Sequence, residues 1–100
     1  MTKDEARAAA QEFVRDMASA IGLELLLLED LTQEEEFGWV FFYDSKAYVE
    51  DGESSLALAG NAPFIIDRRT GALHETGTAL PTERYLSSFR RYGDCHRFSE

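Results

Sequence analysis

The chain has 100 residues, of which 44% are hydrophobic and twelve are aromatic, and its net charge is −9. This length fits one domain, and the composition excludes an intrinsically disordered chain. The acidic balance opposes general nucleic-acid binding, which depends on cationic groups that replace phosphate counterions, and leaves open a basic protein partner or solubility alone.

Features of targeting and redox state point to the cytoplasm. The longest apolar runs, Leu25–Leu28 and Trp39–Tyr43, are too short to span a bilayer. The N-terminus lacks the apolar stretch that follows the charged start of a signal peptide. The single cysteine, Cys95, excludes an intrachain disulfide and suits a reducing compartment. We therefore expect a cytoplasmic protein without membrane association.

The first segment has the pattern of an amphipathic helix. Thr2 and Glu5 have the spacing of a capping box. Apolar residues then recur at intervals of three and four, which marks one helical face. This predicts a helix from about Lys3 to Ala20, ended by Gly22 as its C-cap. The apolar positions are Ala6, Ala9, Ala10, Phe13, Val14, Met17 and Ile21.

Two segments of opposite character follow this helix. The apolar run Leu23–Glu29 has the length of a strand, although a continuation of the helix is the competing interpretation. Asp30–Phe37 is polar and is predicted to be a solvated connection. It contains three adjacent carboxylates, which are typical of an exposed turn and less often of a binding site: Glu34, Glu35 and Glu36.

The segment Gly38–Asp44 is the clearest strand in the sequence, because aromatic and β-branched residues dominate it. Alternation places Trp39, Phe41 and Tyr43 on one face and the other apolar residues on the opposite face. We expect an interior strand that is covered on both sides. The alternative is that one aromatic row is exposed and binds a partner.

The next segments predict a loop and a hairpin. Ser45–Gly60 is interpreted as an irregular excursion with a short helical turn near Ser54–Leu58. Pro63–Asp67 and Ala72–Gly77 are predicted strands. Between them, Asp67 begins a tight reversal and Gly71 supplies a positive φ.

The C-terminal region predicts one more helix. Pro81 opens it from the first turn, and Gly93 ends it. We expect residues 1–93 to form a single α+β domain, a small mainly antiparallel four-stranded sheet with N-terminal and C-terminal helices packed on it. Residues 94–100 are predicted to be a frayed tail.

No constellation of catalytic residues emerges. His74 precedes Glu75 on a strand, where the two side chains should point to opposite faces, and Cys95 and His96 are sequence neighbours that converge poorly. No Cys-x-x-Cys or His-x-x-x-His spacing predicts a metal site, and no glycine pattern predicts a phosphate site. Arg68-Arg69 is interpreted as a solvated turn pair, with phosphate or carboxylate binding as the alternative. We predict a binding domain without catalytic residues, cofactor or metal; a hydrolase built on unrecognised carboxylates is a further alternative.

The stretches GWVFFYDSKAYVE and LAGNAPFIIDRRTGALHETGTALPTERYL together resemble the immunity protein 35 family, also called YrhB-like. The matched elements are a Gly-Trp-aromatic strand, a Gly-Asn-Ala-Pro entry, an Asp-x-x-Thr-Gly hairpin, a Gly-Thr and a Pro-initiated helix. They extend from about Gly38 to Tyr92. The motif residues, for which we expect a structural role, are Gly38, Trp39, Gly60, Asn61, Pro63, Asp67, Gly71 and Gly77.

The resemblance implies a small cytoplasmic, non-enzymatic protein that binds and neutralises a cognate bacterial toxin. We expect it to occlude the toxin's active site, as a monomer or weak homodimer. The alternative function is a chaperone-like holdase that binds unfolded proteins through exposed apolar surface such as the aromatic strand. Charge and loop position suggest partner contacts at Glu34, Glu35, Glu36, Tyr48, Asp51 and Glu53.

Overall fold

The computed structural model describes residues 1–52 and 62–97, with Asp51 described by its backbone alone. The predicted α+β class is confirmed. The elements in chain order are α1 Lys3–Ile21, β1 Leu25–Leu27, a 3₁₀ helix Glu29–Leu31, β2 Gln33–Glu35, β3 Gly38–Phe41, β4 Tyr43–Ser45, α2 Lys46–Asp51, β5 Phe64–Asp67, β6 Leu73–Glu75 and α3 Thr82–Tyr92.

Helix α1 begins and ends as its sequence predicts. The Glu5 backbone N–H donates to Thr2 Oγ1 (3.2 Å), and the Thr2 N–H donates to Glu5 Oε1 (2.8 Å), which completes the capping box. These hydrogen bonds hold the pKa of Glu5 below its usual range. Gly22 takes the left-handed conformation and ends the helix.

Two antiparallel sheets make up the β structure. The four-stranded sheet has the order β2-β3-β5-β6, and β1 pairs with β4 alone. The fourth strand of the larger sheet is therefore Gln33–Glu35, inside the segment Asp30–Phe37 that the sequence predicted to be a connection. The apolar run Leu23–Glu29 contributes only Leu25–Leu27, and these pair in the smaller sheet.

Residues 25–45 form one long antiparallel hairpin: β1 and β2 lie on its first arm and pair with β4 and β3 on its second arm. Leu27 pairs with Tyr43, and Gln33 pairs with Val40. Five residues, 28–32, therefore lie opposite two, 41 and 42. The three extra residues of the first arm are accommodated by the 3₁₀ helix, which interrupts the long hairpin and projects from its edge.

The central strand is buried on both faces, as predicted. Trp39, Phe41 and Tyr43 lie in one core cluster with α1, and they are 1%, 1% and 7% exposed. Val40 lies in a second cluster with the apolar face of α3. The alternative of an exposed aromatic row is wrong, because a helix covers each face of the sheet.

The hairpin between β5 and β6 has the predicted turn chemistry. Asp67 Oδ1 accepts hydrogen bonds from the backbone N–H groups of Arg69 (2.7 Å) and Thr70 (3.2 Å). Gly71, at φ 72°, donates its N–H to the Asp67 carbonyl (2.9 Å). A side-chain cap and a left-handed glycine thus fix the reversal locally.

The segment that begins at Ser45 is more regular than predicted. Ser45 ends β4 and caps α2, since its Oγ accepts a hydrogen bond from the Tyr48 N–H (3.1 Å). A serine after a strand can therefore start a helix directly. The predicted helical turn near Ser54–Leu58 lies outside the described residues.

The described part of the C-terminal tail, residues 94–97, is packed against α3 rather than frayed. Ser88 Oγ lies 2.6 Å from the carbonyl oxygens of both Asp94 and Arg97, and it accepts a hydrogen bond from the Arg97 N–H (3.0 Å). Cys95 is 2% exposed. At the other end of α3, Pro81 is the N-cap residue rather than part of the first turn.

Candidate partner-binding surface

The predicted acidic contacts Glu34–Glu36 lie on β2 and on the turn that joins it to β3. Glu34 forms an ion pair with Arg68, and Glu35 forms one with Arg90, each at 3.1 Å. Two of the three carboxylates are therefore partly neutralised within the chain. Glu36 is exposed at the turn.

Arg68 makes several contacts with the segment Glu34–Glu36, which we call the acidic edge. Its guanidinium lies 4.5 Å from the centre of the Trp39 ring, and its Nη2 donates to the Glu35 carbonyl oxygen (2.9 Å) as well as to Glu34. The prediction of a solvated turn pair is wrong for Arg68, which binds a carboxylate of its own chain. Its neighbour Arg69 is exposed.

The remaining predicted contacts lie at the other end of the long hairpin. Tyr48 is 41% exposed on α2, which follows the Leu25–Ser45 pair, whereas the Glu34–Glu36 segment lies beside Gly38. Seven residues of extended strand separate these ends by about 23 Å. Asp51 ends α2, and Glu53 lies outside the described residues. The structure thus places the described contacts at opposite ends of the hairpin and not in one cluster.

Between these ends lies an exposed apolar surface that the sequence did not predict. We call it the Leu31 surface and define it by Leu28, Leu31 and Val49, with the acidic residues Glu29 and Asp30. Leu31 is 54% exposed and Val49 is 42% exposed. These residues, with β1, line an open depression of about 520 Å³.

The sequence contained one signal for this surface. Leu31 is a lone large apolar residue between Asp30 and Thr32, in a segment otherwise predicted to be solvated. Pattern reasoning uses such residues for the core, but the 3₁₀ excursion carries this one outward. Exposed apolar residues that cluster on a surface are typical of interaction sites.

The side chains considered for catalysis, those of His74, Cys95 and His96, make contacts within the fold. His74 packs against the Phe89 ring at 4.9 Å. His96 Nε2 lies 2.8 Å from the Glu75 carbonyl oxygen, and the Cys95 thiol donates to the same oxygen at 3.4 Å. Burial raises the pKa of Cys95, which disfavours a reactive thiolate. Within residues 1–52 and 62–97, no three His, Cys, Asp or Glu side chains are grouped so that they could hold a metal ion.

Several motif residues lie where the backbone is tightly constrained. A Cβ atom at Gly38, at φ 152°, would clash with the Ile66 carbonyl oxygen of the neighbouring strand. A Cβ atom at Gly77 would lie 2.7 Å from the Tyr85 hydroxyl oxygen. The Pro63 carbonyl accepts hydrogen bonds from Thr76 Oγ1 (2.5 Å) and from its backbone N–H (3.1 Å). Gly60 and Asn61 lie outside the described residues.

The ring of Trp39 is buried, and its indole nitrogen is buried with it. Its Nε1 is the one buried side-chain nitrogen or oxygen in the described part of the chain that has no hydrogen-bond partner. The free-energy cost of burying this unpaired N–H is offset by the packing of the ring against the core and beneath Arg68. Trp39 therefore links the interior of the sheet to the acidic edge.

No helix among the described residues has the length and hydropathy needed to cross a membrane. Over 52 residues the chain is 46% identical to the uncharacterized protein YrhB of Escherichia coli, which covers 52% of this chain and 55% of that protein. Over 65 residues it is 34% identical to an arginine–tRNA ligase of Trichodesmium erythraeum, which covers 64% of this chain and 10% of the ligase. The chain thus spans about half the length of the first relative and a tenth of the second.

No solved structure matches the fold of this chain significantly. The sequence profile of immunity protein 35 matches residues 4–88. That range contains all of α1 except its first residue, the six strands of the described residues and most of α3, and it includes the Trp39 strand and the Asp67–Gly71 turn. The chain belongs to the immunity protein 35 family.

Proposed function

We propose that this chain is an immunity protein that binds and neutralises a cognate bacterial toxin by steric occlusion of the toxin's active site. The observation that carries this function is the family match over residues 4–88. Occlusion needs a well-supported surface. The long hairpin supplies one, because α1 and α3 pack on opposite faces of its strand β3.

The charge distribution supports a basic partner surface. The first 62 residues contain fourteen of the nineteen acidic residues and four of the ten basic ones. A negative surface of this kind accelerates encounter with a positive one and disfavours other acidic proteins. The contacts proposed along the acidic edge and α2 are Glu34, Glu35, Glu36, Tyr48, Asp51 and Glu53.

Neutralisation by occlusion requires no catalysis, and we propose that the chain acts in the cytoplasm without cofactor or metal. The thiol of Cys95 and the imidazole of His96 both serve to hold the tail on β6. Their side chains are therefore engaged in structural contacts rather than aimed at a shared substrate position.

The holdase alternative loses one surface that it named, while the exposed apolar residues of the Leu31 surface are open to clients. The aromatic strand face that would capture unfolded clients is covered by α1. Suppression of aggregation of unrelated denatured proteins, without a stoichiometric partner, would nevertheless restore that function.

The direct test is rescue of growth. A candidate toxin domain from the neighbouring genes is expressed alone and then with this chain, and growth and co-purification are followed. We expect rescue together with a one-to-one complex. Verified toxicity with neither rescue nor complex would contradict the immunity role toward that toxin.

The proposed acidic contacts need variants that do not break in-chain ion pairs. Glu36→Lys meets this condition, whereas reversal of Glu34 or Glu35 also removes the partner of Arg68 or Arg90. Glu12→Lys, on the exposed side of α1, gives the matched change in net charge. We expect Glu36→Lys to weaken toxin affinity more than Glu12→Lys; equal affinities within threefold would remove Glu36 from the contact surface.

A further inference from the structure

We infer that the Leu31 surface is the anchoring site for the toxin, and that it receives an apolar side chain carried on a basic segment of that protein. The inference rests on the proposed function, which it deepens by naming the docking site and the chemistry of the partner. The toxin's catalytic activity does not enter into it.

The backbone gives the first reason. Five residues against two is a large interruption of an antiparallel pair, because it removes ladder hydrogen bonds from the sheet edge. The excursion buries none of its own residues, since Glu29, Asp30 and Leu31 are all exposed. A feature that adds no core is better explained by what it presents than by what it stabilises.

The apolar content gives the second reason. Leu31 and Val49 come from different elements, and both line the depression together with Leu28. Large aliphatic groups that surround a recess are suited to enclose one apolar side chain of a partner.

The charges around the depression identify the partner's chemistry. Among the described residues that line it are Glu29 and Asp30 and no basic residue. Arg7 forms an ion pair with Glu29, which leaves the rim negative through Asp30. A lysine- or arginine-bearing segment complements this rim, whereas an acidic one is repelled.

The same charges argue against a second copy of this chain as the occupant. Two copies that met through this surface would bring their acidic rims together, and each chain carries a net charge of −9. Like charges opposed at an interface disfavour association. A heterologous basic partner is therefore the better fit.

The test uses the full chain and the cognate toxin domain and measures affinity by calorimetry. Leu31→Asp is expected to weaken binding by about thirtyfold or more, as for the loss of an interface anchor. The matched control is Ile21→Asp, at an apolar position of similar exposure (48%) at the end of α1, and it should change affinity by less than threefold. Val49→Asp provides a second variant from a different element and should also weaken binding strongly.

The charge component is tested by kinetics. Asp30→Lys should slow association and flatten its dependence on salt, while Glu12→Lys should do so less, because electrostatic steering acts mainly through charges near the interface. The thermal midpoints of all variants are measured, and those of the Leu31 and Val49 variants should stay near the wild-type value, since both residues are largely exposed.

The outcomes separate the two claims. If the wild-type chain does not bind or neutralise the toxin, the proposed function fails. If it binds and neutralises while folded Leu31→Asp and Val49→Asp bind within threefold of it, the docking site is wrong and the proposed function stands. Concentration-dependent self-association that Leu31→Asp abolishes would assign the surface to a second copy and overturn the inference.

Discussion

The two outer edges of the β structure differ in the residues that cover them. At the β6 edge, residues 94–97 reach the end of the strand, where Cys95 and His96 both contact the Glu75 carbonyl oxygen. At the opposite edge, the chain breaks its ladder at the 3₁₀ helix and leaves Leu31 54% exposed. The chain's own tail contacts the end of one edge, and the other edge presents apolar side chains.

This difference separates stability from recognition. An uncovered strand edge invites unwanted pairing, and the tail occupies the Glu75 carbonyl at the end of the β6 edge. The acidic side chains of β2 discourage pairing between copies at the other edge without covering it. Substitutions at the β6 edge should therefore lower the free energy of unfolding, whereas those at the Leu31 surface should leave it nearly unchanged.

The largest contrast is expected between Phe89→Ala, in the core beneath β6, and Leu31→Ala. Phe89 is 3% exposed and packs against Phe37 and His74, so its truncation should cost about 3–5 kcal/mol of unfolding free energy. Leu31→Ala should cost no more than about 0.5 kcal/mol, because its side chain is mostly in solvent. Urea denaturation measures both, and similar losses for the two variants would contradict the placement of the Leu31 surface outside the core.

Removal of the Ser88 hydroxyl should loosen the tail. Ser88→Ala leaves the Asp94 and Arg97 carbonyls without this partner and should cost about 1–3 kcal/mol. Ser87→Ala, at the exposed neighbouring position of α3, is the matched control and should be near neutral. Thermal unfolding reports the difference. A Ser88 variant as stable as the Ser87 variant would mean that the tail contributes little.

Arg68→Ala should have a smaller effect that is confined to the acidic edge. The stacking of its guanidinium on Trp39 is worth about 0.5–1 kcal/mol, and the partly exposed pair with Glu34 adds little. Arg69→Ala, at the exposed next residue, should be close to neutral. Amide exchange should show faster opening of β2 in the Arg68 variant; equal β2 exchange in the two variants would refute the role of Arg68.

The smallest effect is a pH dependence at the start of α1. Because hydrogen bonds with Thr2 lower the folded pKa of Glu5, its carboxylate stabilises the fold above the unfolded-state pKa, and this contribution is lost as the pH falls through the folded pKa. Glu5→Gln should therefore lower the thermal midpoint slightly at neutral pH and converge with wild type in acid. Glu12→Gln is the control, and a Glu5 difference that persisted in acid would contradict the assignment.

Local signals were sufficient for much of the fold. The capping box at Thr2, the two-sided apolar strand around Trp39 and the Asp67–Gly71 turn each depend on residues close in sequence. Such features can be read from the sequence because their physical cause lies within one helical turn or one strand.

The missed features depend on distant partners. Strand β2 reads as a solvated charge run until Arg68 and Arg90, 34 and 55 residues away, pair with Glu34 and Glu35. The tail likewise depends on Ser88 and on the far edge strand. The position of the Leu31 surface requires the register of both strand pairs, which no local pattern encodes.

The most direct measurement is amide hydrogen exchange of this chain, free and in complex with its cognate toxin domain. We predict that complex formation protects the open edge, from β1 through β2 together with α2, and leaves β6 and residues 94–97 unchanged. Protection confined to β6 and the tail, in a complex that neutralises the toxin, would contradict the assignment of recognition to the open edge.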